Sequence, residues 1–157
     1  MRPAGTMSRE AGSVPKVGGG RVGKGLVVPG WSRKGESVRV LIVDDHRAFR
    51  KALTSALSLV EDIEVAGEAG GGVEACQQAE RLQPDAIVMD LSMPDLDGIG
   101  AMQRIHETTP DLPVVILTAH ADEGVERAAR EAGAQGFLAK GTGLRELVGA
   151  LQAVVPG

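Results

Sequence analysis

With 157 residues, 43% of them hydrophobic and 24% charged, the chain is long enough for one domain with a real core and a tail. Its single cysteine, Cys76, excludes an intramolecular disulfide framework, and no apolar run approaches the roughly 18 residues of a membrane span. Seven basic against two acidic residues give residues 1–37 a net +5, and ten against nineteen give the remainder −9, so the main domain lacks the cationic surface that non-specific nucleic-acid binding needs.

No apolar segment follows the first basic residues, so no secretory signal is expected and the cytoplasm is the expected compartment. Residues 1–37 are rich in Gly, Pro, Ser and basic side chains without a sustained period, and they read as a disordered leader. Two decoys lie in it. The run from Gly18 to Gly23 matches a dinucleotide fingerprint letter for letter, and Gly18 to Lys24 mimics a phosphate loop. Both motifs need a strand before and a helix after, and Gly25 stands where Ser or Thr should bind Mg²⁺. A nucleotide-dependent enzyme built on these glycines is therefore set aside.

Regular pattern begins at Val38. Residues 38–43 form an apolar strand that runs into Asp44 and Asp45. Phe49, Ala52, Leu53, Ala56, Leu57 and Val60 then recur at helical spacing. A second strand spans 63–68 and is closed by Gly70, Gly71 and Gly72. Ala75, Cys76, Ala79 and Leu82 mark a second helix, stopped near Pro84. The third strand, 86–89, delivers Asp90 at its carboxyl end, and Pro94 and Gly98 turn the chain into a helix marked by Ile99, Met102 and Ile105. Strand four, 114–118, ends on Thr118. Val125, Ala128, Ala129 and Ala132 mark the fourth helix, with Gly133 just past its end. A short fifth strand at 136–138 precedes Lys140, and Leu144, Leu147, Val148 and Leu151 form the last helix.

Strands alternating with helices over about 120 residues predict an α/β fold, a parallel sheet covered on both faces. Five of each favour a flavodoxin-like (βα)5 doubly wound sheet in the order 2-1-3-4-5. That order places Asp44, Asp45 and Asp90 side by side at the switch point, with Thr118 one strand further and Lys140 able to reach back. Carboxylates crowded in this way repel: at an effective dielectric of about 20, two of them 4 Å apart cost roughly 4 kcal/mol. A hard divalent cation and the Lys140 ammonium are the natural compensation, and a carboxylate beside Mg²⁺ can act as nucleophile toward phosphorus. Read singly, Asp44 and Asp45 could begin a helix, Asp95 could cap a loop and Asp97 could serve a turn. His46, His106 and His120 share no ligand spacing, and Cys76 reads as a buried small hydrophobe.

These residues together resemble the CheY-like receiver domain of two-component response regulators: Asp44-Asp45, Asp90 with Ser92-Met93-Pro94 and Asp97-Gly98, Thr118-Ala119, and Phe137 three residues before Lys140. The resemblance spans residues 38–155. Asp44-Asp45-His46 and Gly67-Glu68-Ala69 are most similar to receivers of NarL/LuxR-type regulators, which carry a C-terminal helix-turn-helix. It implies a receiver domain over 38–156, with Asp90 as phosphoacceptor and Mg²⁺ held by Asp45, Asp90 and the Ser92 carbonyl, Asp44 helping through water. It also implies that Thr118 and Lys140 sense the phosphoryl group and that Phe137 takes the switch-aromatic position, without the hydroxyl of the Tyr often found there. Gly141 follows Lys140 where many receivers have Pro.

The implied donor is a sensor histidine kinase or a phosphotransfer protein, and the implied activity is signalling, with self-catalysed phosphotransfer and slow dephosphorylation only. The chain stops at Gly157, so no DNA-binding module is expected within it, nor direct nucleic-acid or membrane contact. Output is expected from helix four, strand five and helix five, where Glu123, Glu126, Arg127, Arg130, Arg145 and Glu146 suit a homodimer or a downstream protein. Two alternatives share the fold: a transcription regulator's receiver portion lacking its DNA-binding domain, and a phosphorylation-independent binding module.

Overall fold

The computed structural model describes residues 37–156, so the expected leader and its glycine decoys lie, but for Ser37, outside the described residues. Strands β1 (Val38–Val43), β2 (Ile63–Ala69), β3 (Ala86–Met89), β4 (Val114–Thr118) and β5 (Gly136–Ala139) alternate with helices α1 (Arg47–Ser58), α2 (Gly72–Leu82), α3 (Gly98–Thr108), α4 (Glu123–Glu131) and α5 (Leu144–Val154). All strand pairs are parallel and their order is β2-β1-β3-β4-β5. This is the predicted flavodoxin-like arrangement.

Strand alternation divides the apolar residues between two faces. Val38, Val40 and Ile42 of β1 join Ala86 and Val88 of β3 and Val115 and Leu117 of β4 against α1 and α5. Leu41 and Val43 join Ile87, Met89, Val114 and Ile116 against α2, α3 and α4. A Val, Leu or Ile side chain contributes about 1.5–3 kcal/mol when fully buried. The strands are therefore positioned by their interiors, and the residues just past them need not pack in order to be placed.

The ladder continues one residue beyond three strands. The Asp44 N–H donates to the Ala69 carbonyl at 3.0 Å, that of Asp90 to Val43 at 3.0 Å, and that of Lys140 to Thr118 at 2.8 Å. The backbones of the chemically loaded residues are thus fixed by the sheet.

Strands β2 and β5 run one residue further than expected, Ala132 caps α4 rather than belonging to it, and two other boundaries differ for reasons that can be named. Helix α1 ends at Ser58, and Val60 is a buried bridge residue whose N–H bonds Leu57 rather than a fourth helical turn. Its burial made it look periodic. Gly72 opens α2 instead of closing β2, and a Cβ there would collide with the Leu96 carbonyl, so the close approach requires glycine. Among the described residues no helix is long and apolar enough to cross a membrane.

Candidate functional site

The carboxyl ends of β1, β3 and β5 bring three charges together. Lys140 Nζ lies 2.7 Å from Asp44 Oδ2 and 3.6 Å from Asp90 Oδ2, with both carboxylates nearly fully buried. The ammonium also faces an aromatic ring, for Nζ stands 4.5 Å from the centroid of Phe49 on α1. Gly141 follows with φ +98°, a left-handed turn that glycine makes without strain where many receivers carry Pro.

One ammonium among three carboxylates leaves the pocket negative. Burial pushes the Asp90 carboxyl above its ordinary range, and the neighbouring Asp44 charge pushes it the same way. Lys140 and the Ser92 N–H, which bonds the carboxylate, pull it down, while Asp45 adds to the rise. Asp45 Oδ1 and Asp90 Oδ2 are buried and accept no hydrogen bond. One oxygen each from Asp44, Asp45 and Asp90 and one His46 ring nitrogen lie within 4.8 Å of one another. Buried, negatively charged oxygens without a hydrogen bond are the donors a hard divalent cation takes, so the pocket fits Mg²⁺.

Of the other predicted site residues, Thr118 is fully buried at the end of β4, where its Oγ1 accepts the His120 N–H at 3.2 Å. Ser92 is exposed on the loop after β3. Phe137 on β5 pairs in register with Ile116 and is half-buried against the core on the α2–α4 side. The structure thus brings Asp44, Asp45, Asp90 and Lys140 into one cluster. It sets Thr118 at the neighbouring strand tip and Phe137 further back in the sheet.

Asp44 and Asp45 do not begin helix α1. His46 occupies the N-cap position, and Asp44 Oδ1 accepts its N–H at 2.8 Å. The His46 ring, assigned no metal role from its spacing, stands with Nδ1 3.3 Å from Asp44 Oδ1 and 3.3 Å from Asp45 Oδ1. Adjacency to the acid pair was the available signal. Asp97 proves to be the N-cap of α3, accepting the Gly100 N–H at 2.8 Å. Asp95 reaches 23 residues back and accepts the N–H groups of Gly72 and Val73 at 3.0 and 3.2 Å, capping α2 from another loop. Those bonds, Gly72 first, hold its carboxyl below the usual range.

A second network braces the β1–α1 turn. Arg50 donates from Nε to Glu68 Oε1 at 2.8 Å and from a terminal nitrogen to the Asp44 carbonyl at 2.7 Å, and Lys51 sits 3.2 Å from the same Glu68 oxygen. Burial alone would raise the Glu68 carboxyl, but the Arg50 and Lys51 bonds outweigh it and the group lies below its usual range. Arg50→Ala should cost about 2 kcal/mol in chemical denaturation, at the lower end for a half-buried ion pair because Lys51 remains. Arg50→Lys should recover only part, since an ammonium lacks the fork that spans carboxylate and carbonyl. An unchanged midpoint would show the pair to be a weak surface contact.

Comparison with known proteins agrees with this geometry. A family model described as the response regulator receiver domain matches residues 40–152. The response regulator GacA of Pseudomonas viridiflava is 36% identical over 120 residues, 76% of this chain and 56% of that protein. The chain spans just over half the length of the curated relatives it matches. Among solved structures, the signal receiver domain of the response regulator NarL from Mycobacterium tuberculosis superposes with a TM-score of 0.68 at 34% identity, over 74% of this chain and 94% of that one. A CheX–CheY complex with beryllium trifluoride and Mg²⁺ from Borrelia burgdorferi gives a TM-score of 0.72 at 26% identity, over 76% of this chain and 90% of that one.

Proposed function

The chain belongs to the response regulator receiver domain family, and on that premise we propose that Asp90 accepts a phosphoryl group from the phosphohistidine of a sensor kinase or phosphotransfer protein. The observation that carries this reading is the Asp90 carboxylate itself: 2% exposed, with one oxygen lacking a hydrogen bond and an ammonium 3.6 Å away. Asp45, Asp90 and the Ser92 carbonyl would hold Mg²⁺, with Asp44 assisting through water. The ion supplies charge neutralisation that lets an anionic donor approach a carboxylate.

An Asp90 carboxylate oxygen attacks phosphorus, the P–N bond breaks, and the imidazole leaves with the electron pair. Lys140 then exchanges its partial contact with Asp90 for the phosphoryl oxygens, and the Thr118 hydroxyl donates to another. Attack by water on phosphorus later releases inorganic phosphate and restores the carboxylate. The similar CheY of Borrelia burgdorferi, solved in a complex that holds beryllium trifluoride and Mg²⁺, supports this reading.

The test is direct. With acetyl phosphate the chain should gain one acid-stable, base-labile phosphoryl group in the presence of Mg²⁺ and none in EDTA, by intact mass. A chelator-insensitive adduct would overturn the metal assignment.

Output follows from the same movement. Drawing Thr118 and Lys140 inward opens space beside Phe137 and repacks the α4–β5–α5 surface. There Arg127 is exposed and Arg130 is paired with Glu126 at 2.9 Å, a mixed-charge face suited to a second copy or a downstream protein. Beryllofluoride should raise homodimer or partner affinity by the roughly 1–3 kcal/mol typical of coupled sites. Arg127→Glu with Arg130→Glu should reduce that gain while labelling of Asp90 continues. Sedimentation showing equal association in all four states would exclude this face.

A further inference from the structure

We propose, building on Asp90 as acceptor, that Phe49 is a positioning residue acting through Lys140. Its ring holds the ammonium at the edge of the acidic pocket, where the oxygens of an incoming phosphoryl group arrive.

The ammonium is unevenly shared. Lys140 Nζ stands 2.7 Å from Asp44 Oδ2, 3.6 Å from Asp90 Oδ2 and 4.5 Å from the centroid of the Phe49 ring. Only the first of these is a hydrogen bond, since 3.6 Å is too long for one. An ammonium has three donors, so a single bond to Asp44 fixes a distance and leaves the direction of approach open. The ring lies inside the roughly 6 Å reach of a cation–π contact and supplies a second fixed point. The lysine side chain is 14% exposed, and such contacts are strongest where water is kept out.

Ring and carboxylate belong to one rigid unit. Phe49 lies in the first turn of α1, whose N-cap residue His46 donates its backbone N–H to Asp44 Oδ1 at 2.8 Å. Arg50, the next residue, donates to the Asp44 carbonyl at 2.7 Å. Lys140 reaches that unit from the far side of the pocket, with its own N–H bonded to the Thr118 carbonyl at 2.8 Å. The ammonium therefore bridges two separately fixed pieces of backbone, and Phe49 belongs to the piece that carries no acceptor.

Packing alone does not account for the ring. Phe49 is half-buried and, with Leu53, Leu117, Gly141 and Leu144, lines an apolar cavity of about 260 Å³ between α1 and α5. A side chain that borders open space is not forced against the ammonium by its neighbours. The same space admits a larger aromatic.

A charge already standing where phosphoryl oxygens arrive needs no reorganisation during transfer. Without the ring the ammonium is free to settle fully on Asp44 or to turn toward water, and either removes it from the phosphoryl group. Were Phe49 only a wall of the cavity, any apolar side chain would serve equally well.

The experiment compares the full chain with Phe49→Leu, Phe49→Tyr and Phe49→Trp in three measurements. They are the rate of labelling by acetyl phosphate, the Mg²⁺ Kd, and the proton shift of the Lys140 ε-methylene. In labelling, an Asp90 oxygen bonds phosphorus as the donor's P–O bond breaks, and acetate leaves with the electron pair. Phe49→Leu should slow labelling about fivefold and abolish the upfield ring-current shift. Its Mg²⁺ Kd should hold or tighten, because a looser ammonium competes less for Asp44. Tyr and Trp should restore the rate to within about twofold, since both rings attract cations. A pocket that had merely loosened would lose labelling and Mg²⁺ binding together, and no aromatic would rescue it. That pattern, or a Leu variant labelled as fast as wild type, overturns the role of Phe49 and leaves Asp90 as acceptor. Wild type that binds Mg²⁺ but takes no phosphoryl group removes both.

Discussion

Asp90→Asn should abolish the phosphoryl adduct and, in metal-free protein at neutral pH, raise the melting temperature. The two effects have one origin. The carboxylate proposed to attack phosphorus is held in a buried, net-negative pocket, and burial, with Asp44 next, lifts its folded pKa above the unfolded value near 3.9. Between those two values the folded chain keeps a proton that the unfolded chain has lost. Stability therefore falls as pH rises through that window, and the whole penalty is present above the folded pKa. The amide removes it. The gain at pH 7 should be about 3 °C or more, the shift that roughly 1 kcal/mol produces in a domain of this size. It should fade as the pH is lowered below about 4. Mg²⁺ should narrow the gap from the other side by stabilising wild type through binding. Labelling of the variant equal to wild type would remove Asp90 as acceptor, and a lower melting temperature at neutral pH would show that its charge is compensated.

The second large effect is expected from Lys140→Met, a substitution that keeps an unbranched side chain but deletes the ammonium that stands over the Phe49 ring. Asp44 then loses a partner at 2.7 Å and Asp90 one at 3.6 Å, both in buried surroundings. Breaking a buried ion pair from one side costs about 3–5 kcal/mol. Proton uptake at Asp90 relieves part of this, so a loss of about 3 kcal/mol in metal-free protein at pH 7 is expected by denaturant titration. Added Mg²⁺ should restore more stability to the variant than to wild type, because the ion now replaces the missing charge and meets no competing ammonium. Beryllofluoride should bind without the gain in association described for wild type. A loss below about 1 kcal/mol, with equal Mg²⁺ responses, would reduce Lys140 to a surface contact.

Much of this arrangement was legible in the residues. Strands β1, β3 and β4 have the bounds their apolar runs imply, because a strand buried on both faces is nearly all apolar, Arg39 near the start of β1 being the exception, and its end is marked by a charged or hydroxyl group. That same polar residue is the candidate site residue, so Asp44, Asp90 and Thr118 stood out in the sequence. Features made by tertiary proximity were not legible. The Arg50–Glu68 pair joins a helix to the neighbouring strand, and neither residue breaks a local pattern. The His46 ring follows an acid pair, but whether it turns toward or away from them depends on the α1 start. Val60 satisfied the helical period only because a bridge residue over the same core is also buried.

The carboxylate of Asp95 has a consequence of its own. It closes the first turn of α2 while sitting in the loop that leaves Asp90, so one side chain belongs to two structures. Fraying at that helix end and slackening of the acceptor loop become a single event. The latch is also acid-labile: a carboxyl held below its ordinary range contributes most above the carboxylate range and weakens as pH falls through it. Acidification therefore weakens the tie between the start of α2 and the loop after Asp90, so the stiffness of that loop is shared with a helix that contributes no residue to the acidic cluster.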